Sequence, residues 1–314
     1  MSRGESRWTA RDVEDLLQDA WQYLDAGNFA EGRELARKAA AAQPALAEPW
    51  LLNAECAGGE GDLKEAIESA RKAIDLTTSV EDRAIAMMLK ARFELAAGDV
   101  AAARQTLDAA APALASGELW LKAEAADLRL DAGDVAAARD IYERLTAAYP
   151  DEPDAWYGLG MAAERAGDEK AKIAAWRKSL ALEAAMPFDE DSAHLSEAGL
   201  GEVAEEALAD LPARAQALLK NVPIIVADLP SAADVAEGLD PRLLGLFTGT
   251  PYPDIANVGG AAPHLTQILL FRRNLERIAE NEDQLRDEIR TTLIHETGHF
   301  FGMDEDDLKA VGLD

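Results

Sequence analysis

The sequence predicts a mainly α protein in two parts, an N-terminal α-solenoid of helical hairpins followed by a small α+β module. Three observations carry this. The composition is rich in alanine, leucine and glutamate, and aromatics are only 6%, which favours helix. Gly27, Gly61, Gly98, Gly133 and Gly167 recur at spacings of 34, 37, 35 and 34 residues, a period that belongs to stacked two-helix units. A short β-branched run suited to a strand first appears at Val222.

Each glycine follows an apolar helical stretch and can end a helix with φ > 0. Asn28, Asp62, Asp99, Asp134 and Asp168 come next and can start the turn or cap the second helix of the hairpin. Gly32, Ala66, Ala103 and Ala138 stand five residues after the first four glycines, and Ala39, Ala73, Ala110 and Leu145 seven further on. Ala20, Ala54, Ala91, Ala126 and Gly160 hold matching places on the first helices. Small residues at these places let paired helices approach closely. Trp50 and Trp156 open repeats two and five, and Pro44 and Pro150 close repeats one and four.

This pattern resembles the tetratricopeptide repeat. Five units fit, at about 13–46, 47–80, 84–117, 119–152 and 153–186. The third lacks the opening Trp and closing Pro, and the fifth has Lys172 where a small residue is usual. The resemblance implies a superhelix whose concave groove holds a protein or peptide partner. Arg37, Lys38, Arg71, Lys72, Arg104, Arg139 and Arg177 lie near one edge of the second helices. They are read either as a surface for an acidic partner or as solvated helix faces.

Pro187 and the acids Asp189, Glu190 and Asp191 break the helical pattern. The domains are therefore placed at 1–186 and 187–314. Residues 195–208 read as one helix, and a shorter one runs from Pro212 to about Leu219. Strands are expected at 222–227, 243–249 and 267–271, with a short helix over 273–280. Asn281 as N-cap, with Gln284 as its capping-box partner, starts a helix over about 282–301 that stops at Gly302. Leu285, Ile289, Leu293 and Phe300 form its buried stripe, widened by Ile294 and Phe301.

The end of that helix carries the chemistry. His295-Glu296-Thr297-Gly298-His299 is His-Glu-x-x-His, and it uses two of the chain's four histidines. Positions i and i+4 share a helix face, so both imidazoles can converge on one metal ion, with Glu296 beside them as general base. Asp304 and Glu305 are the candidates for a third ligand. Two His and one carboxylate on Zn2+ leave a fourth position for water, which the metal activates towards a substrate carbonyl.

Residues 187–314 resemble the minimal zincin-like metallopeptidases of bacteria. The matching segments are Leu211-Pro212, Asn221-Val222, Leu243 to Pro251, Ile268 to Phe271, and Leu293 to Glu305 with its His-Glu-x-x-His-x-x-Gly-x-x-acid pattern. The resemblance implies His295, His299 and Glu305 as metal ligands, Glu296 as general base and Zn2+ as cofactor. Two positions depart from common patterns: Phe300 replaces a second His found in many relatives, and Glu305 stands where the metzincins have His. His264, in a Gly-rich loop before the presumed cleft-edge strand Gln267–Phe271, and Tyr252 are candidates for stabilising the oxyanion.

A net charge of −28 with no Lys/Arg cluster disfavours nucleic acid and anionic membrane surfaces as partners. Cys56 is the only cysteine, which excludes an intramolecular disulfide and a thiolate zinc site. No apolar run approaches the ~18 residues of a membrane span, and no apolar stretch suited to a signal peptide follows Met1–Trp8. A cytoplasmic location is expected. The expected function is a zinc-dependent peptidase whose repeats recruit a partner. The competing expectation is a tetratricopeptide adaptor whose zincin-like domain binds metal without significant proteolysis.

Overall fold

The computed structural model describes residues 9–115, 117–187, 195–211, 213–220, 222–249 and 267–304. Helix accounts for 73% of the described residues. The chain divides into two compact units, Met1–Asp168 and Glu169–Asp314.

The first unit is a run of antiparallel helices: α1 (Ala10–Asp25), α2 (Phe29–Ala42), α3 (Glu48–Gly59), α4 (Leu63–Leu76), α5 (Val80–Ala96), α6 (Val100–Leu114), α7 (Leu119–Asp131), α8 (Val135–Ala148) and α9 (Pro153–Arg165). The five periodic glycines all take positive φ, between 71° and 79°, which only glycine adopts at little cost. Of the residues that follow them, Asp62 and Asp99 accept from the N–H three residues on, whereas Asn28 and Asp134 make no such bond. The small residues of the pattern are buried: Ala20, Ala39, Ala66, Ala73, Ala103 and Ala138 are wholly covered. At Gly158 the packing is closest, since a Cβ there would sit 2.1 Å from the Tyr142 ring.

The tryptophans and prolines of the repeat belong together. Trp50 Nε1 donates to the Pro44 carbonyl at 3.4 Å, and Trp156 Nε1 to that of Pro150 at 2.9 Å. The basic residues are used within the stack. Arg33, Arg104 and Arg139 each stand five residues after a turn Asn or Asp and reach the next turn. Arg33 pairs with Glu60 and Asp62, Arg104 donates to the Ala132 carbonyl, and Arg139 pairs with Asp168 at 3.3 Å. Arg71 pairs within its own helix with Glu68 and Asp75. Arg33, Arg104 and Arg139 thus clasp one repeat to the next, and Arg71 lies along its own helix face. Cys56 is buried beside Gly32, and burial pushes its thiol up to about 11, so it serves packing.

The second unit begins with α10 (Glu169–Ala185) and continues through α11 (Glu197–Ala209), α12 (Ala213–Leu219), β1 (Ile224–Ala227), α13 (Ala232–Ala236), β2 (Gly245–Thr248), β3 (Gln267–Phe271), α14 (Arg272–Ile278) and α15 (Glu282–Phe300). By pattern α10 continues the repeats to 186; by contact it falls in the second unit. Lys172, the large residue at a small position, is buried on α10 against Glu169 and the Trp176 ring.

The sheet has order β1-β3-β2, with β1 parallel and β2 antiparallel to β3. This corrects the expectation that Gln267–Phe271 is the cleft-edge strand. Gln-Ile-Leu-Leu-Phe is a nearly continuous apolar run, and such runs belong in the covered middle of a sheet; Ile268, Leu270 and Phe271 are buried accordingly. One face of β3 packs with Leu200 and Val203 of α11 and Leu285, Ile289 and Leu293 of α15 in a single core. The sequence reading omitted α13, although Ser231 and Asp234 form a reciprocal capping box there. Among the described residues no helix is long and apolar enough to cross a membrane.

Candidate active site

The site is built on the last turns of α15. Asn281 caps the helix, its side chain accepting from Gln284 N–H at 3.0 Å. Gln284 Oε1 returns to Glu280 N–H at 2.9 Å rather than to Asn281, so the expected capping box closes one residue early. Leu285, Ile289, Leu293 and Phe300 are buried as the stripe requires, and Ile294 and Phe301 are half-buried beside them.

Gly302 ends the helix at φ 79°. Its N–H bonds to the His299 carbonyl at 3.0 Å, and Met303 N–H bonds to the Gly298 carbonyl at 3.1 Å. That is the paired closure of a glycine C-terminus. It brings the Met303 carbonyl 3.1 Å from His299 Nδ1. A carbonyl only accepts, so Nδ1 carries the hydrogen, and in the neutral ring Nε2 keeps its lone pair.

His299 Nε2 lies 3.1 Å from His295 Nε2, with the rings 4.8 Å apart and inclined at 77°. Two nitrogens bound to one tetrahedral Zn2+ at about 2.05 Å stand about 3.3 Å apart. The imidazole pair therefore fits such an ion in donor type and separation.

Glu296 is buried, and its Oε2 accepts from the Phe247 N–H on β2 at 2.6 Å. The strand register explains that contact. Phe271 N–H donates to the Leu244 carbonyl at 2.8 Å, so residues 244, 246 and 248 turn their backbone groups to β3. Gly245 and Phe247, between them, turn theirs outward. The Phe247 ring meets Phe300 edge-on at 5.9 Å. Gly245 allows the close approach: a Cβ there would lie 2.7 Å from Thr292 Cγ2 and 3.0 Å from Glu296 Cγ.

Strand and helix thus flank a cleft of about 480 Å³, lined by Gly245, Leu246, Phe247, His295, Glu296, His299 and Asp304 among others. Asp304 is exposed at its mouth. Glu305, His264 and Tyr252 lie outside the described residues. Among the described residues no group of three or more His, Cys, Asp or Glu side chains is arranged to hold a metal ion; the described donors that face each other are the two imidazoles. The sequence reading missed the Phe247 N–H, the role of Gly245 and the Met303 carbonyl. Only Gly245 has a residue-level signal, a glycine inside a strand.

Residues 219–313 match the family model for a zincin-like metallopeptidase. Residues 17–80, 60–118 and 124–187 match the tetratricopeptide-repeat model, which together span more than half of the chain. None of the curated proteins matches the chain. Among solved structures, it is similar to nearly identical TPR-like repeats of Podosopora anserina (18% identity, TM-score 0.49, covering 55% of this chain and 95% of that one). It is also similar to PilW, a type IV pilus biogenesis factor (18% identity, TM-score 0.47, 68% and 94%). A third is a MamA fragment, 41-end, from Desulfovibrio magneticus RS-1 (16% identity, TM-score 0.46, 56% and 97%).

Proposed function

We propose that this chain, which belongs to the tetratricopeptide repeat family and carries a zincin-like metallopeptidase domain, is a zinc-dependent peptidase whose repeats recruit a protein or peptide partner. The observation that carries the reading is the facing pair of His295 and His299 Nε2 atoms, 3.1 Å apart in a cleft shared with Glu296. In this reading His295 and His299 hold Zn2+, with Glu305 or Asp304 as the third ligand. When bound, the ion supplies Lewis acidity that activates water and polarises the scissile carbonyl.

The chain's own residues do the rest. His299 is oriented through Nδ1 by the Met303 carbonyl. The substrate lies in the cleft between β2 and α15, where the outward Phe247 N–H is already taken by Glu296. The Glu296 carboxylate takes a proton from the attacking water and passes it to the leaving amine nitrogen. Phe247 N–H holds that carboxylate by its Oε2. His264 and Tyr252 remain candidates for the oxyanion. Tetratricopeptide repeats commonly bind protein partners, and in this reading these repeats recruit the partner.

Metal content provides the direct test. Full-length protein purified without chelator should carry one zinc per chain by elemental analysis, and His295→Ala should carry none with its helical circular dichroism unchanged. A zinc-free wild type that takes up no zinc on addition would overturn the proposal.

A further inference from the structure

We propose that Glu183 on α10 is a positioning residue for the cleft's edge strand, acting through Arg242. The proposal rests on the peptidase reading for its kinetic consequence and on geometry alone for its structural one. Glu183 closes the buried face of α10, its side chain only 4% exposed. One oxygen, Oε1, receives Arg242 Nε at 3.1 Å, Arg242 Nη2 at 2.9 Å and Arg277 Nη2 at 2.6 Å. The other, Oε2, is buried with no hydrogen-bond partner among the described residues, so among them the charge is met by these two arginines.

Arg242 stands three residues before β2. The same stretch is held from its other side by buried Asn274, which donates to the Pro241 carbonyl at 2.9 Å and the Leu243 carbonyl at 2.7 Å. Arg273 fastens the end of α10, donating to the Glu183 and Met186 carbonyls at 2.8 and 2.9 Å. From this anchored stretch the chain runs directly into Gly245, Leu246 and Phe247, whose N–H holds Glu296 at 2.6 Å.

Stability alone does not explain such a carboxylate. A buried ion pair is often no more stabilising than an apolar replacement, because desolvation offsets attraction. What charge-assisted bonds add is fixed direction. Here the direction fixed is that of the residues leading into β2, a four-residue strand at the edge of the described sheet that pairs with β3 and meets α15 through Phe247. Glu183 touches neither cleft nor substrate and belongs by sequence pattern to the fifth repeat, which is why the active-site motif does not reveal it.

The test is amide hydrogen exchange on the full chain. In Glu183→Gln, exchange in residues 243–249 should rise about tenfold while residues 285–293 of α15 keep wild-type protection. Arg242→Lys, which keeps the charge but loses the Nε contact, should show the same local change, and serves if Glu183→Gln does not fold. Unchanged exchange in 243–249, or equal acceleration in both segments, would overturn the proposal. With a peptide that the wild type cleaves, Glu183→Gln should lower kcat/KM about tenfold, mainly through KM, at unchanged zinc content; an unchanged kcat/KM would also overturn it. A wild type that cleaves nothing defeats the peptidase reading, while the exchange result still decides the role of Glu183.

Discussion

Gly245 and Glu65 show how much single residues decide here. Gly245 has no side chain, and that absence lets β2 lie against Glu296; any Cβ would strike Thr292 or Glu296 itself. Glu65, in the repeats, accepts from Arg37, Arg33 and Asn53. The Arg37 hydrogen bonds lead, burial opposes them, and Asn53 and Arg33 add to them, so that the carboxyl is held at about 2 instead of 4.5. A depressed folded pKa stabilises above the unfolded value, and that stabilisation is lost as pH falls from about 4.5 towards 2. Glu65→Gln should therefore lower stability by about 1–2 kcal/mol at pH 7, after allowing for solvent screening at a site about a third exposed. Urea titrations of both proteins should show the gap narrowing between pH 4.5 and 3; a gap independent of pH would contradict this. At this scale the sequence was legible where chemistry resides in side chains. His295, Glu296 and His299 announce themselves by spacing. The Phe247 N–H and the Met303 carbonyl do not, because every residue has a backbone and only folding decides which one faces the site.

The element scale turns on how α15 ends. Gly302 was readable as a stop, and its positive φ does more than stop the helix: it brings the Met303 carbonyl to His299. Gly302→Ala should cost about 1 kcal/mol in urea unfolding. In the proposed reading it should also weaken zinc affinity about tenfold, because His299 loses the carbonyl that orients it. Competition against a zinc chelator measures the second effect; unchanged affinity would mean that the carbonyl does not orient the ring. The helices and turns of the repeats were legible because one glycine per hairpin and buried alanines repeat at a fixed period. Sheet order was not. Strand positions came out within a residue or two, but β3 sits in the middle and β2 at the edge. The continuous apolar character of Gln267–Phe271 was the available signal for a central strand. The brief helix α13 escaped because five residues are too few to show a period, although its capping pair was in plain sequence.

At the scale of the molecule, sequence pattern and physical contact divide the chain in different places. The repeat pattern runs to 186, whereas the compact units part at 168 and 169. Helix α10 lies between the two divisions, a repeat by sequence that shares its buried charge with Arg242 and Arg277 of the second unit. Pattern reports descent from a repeated unit, and contact reports where apolar and charged surface is now covered; no periodicity could have shown that Glu183 meets Arg242 and Arg277. The two units have cores of their own, the alanine-rich clusters of the hairpins and the cluster joining α11, β3 and α15. In the proposed reading the core that joins α11, β3 and α15 supports a peptidase centre. Incubating the zinc-loaded full chain with a broad peptide library and reading cleavage by mass spectrometry tests it most directly. Wild type should cut a defined set of peptides, and Glu296→Gln should keep its zinc and lose at least a hundredfold in rate, about the contribution of a general base. Equal product from both proteins, or none from a wild type with a full complement of zinc, would contradict it.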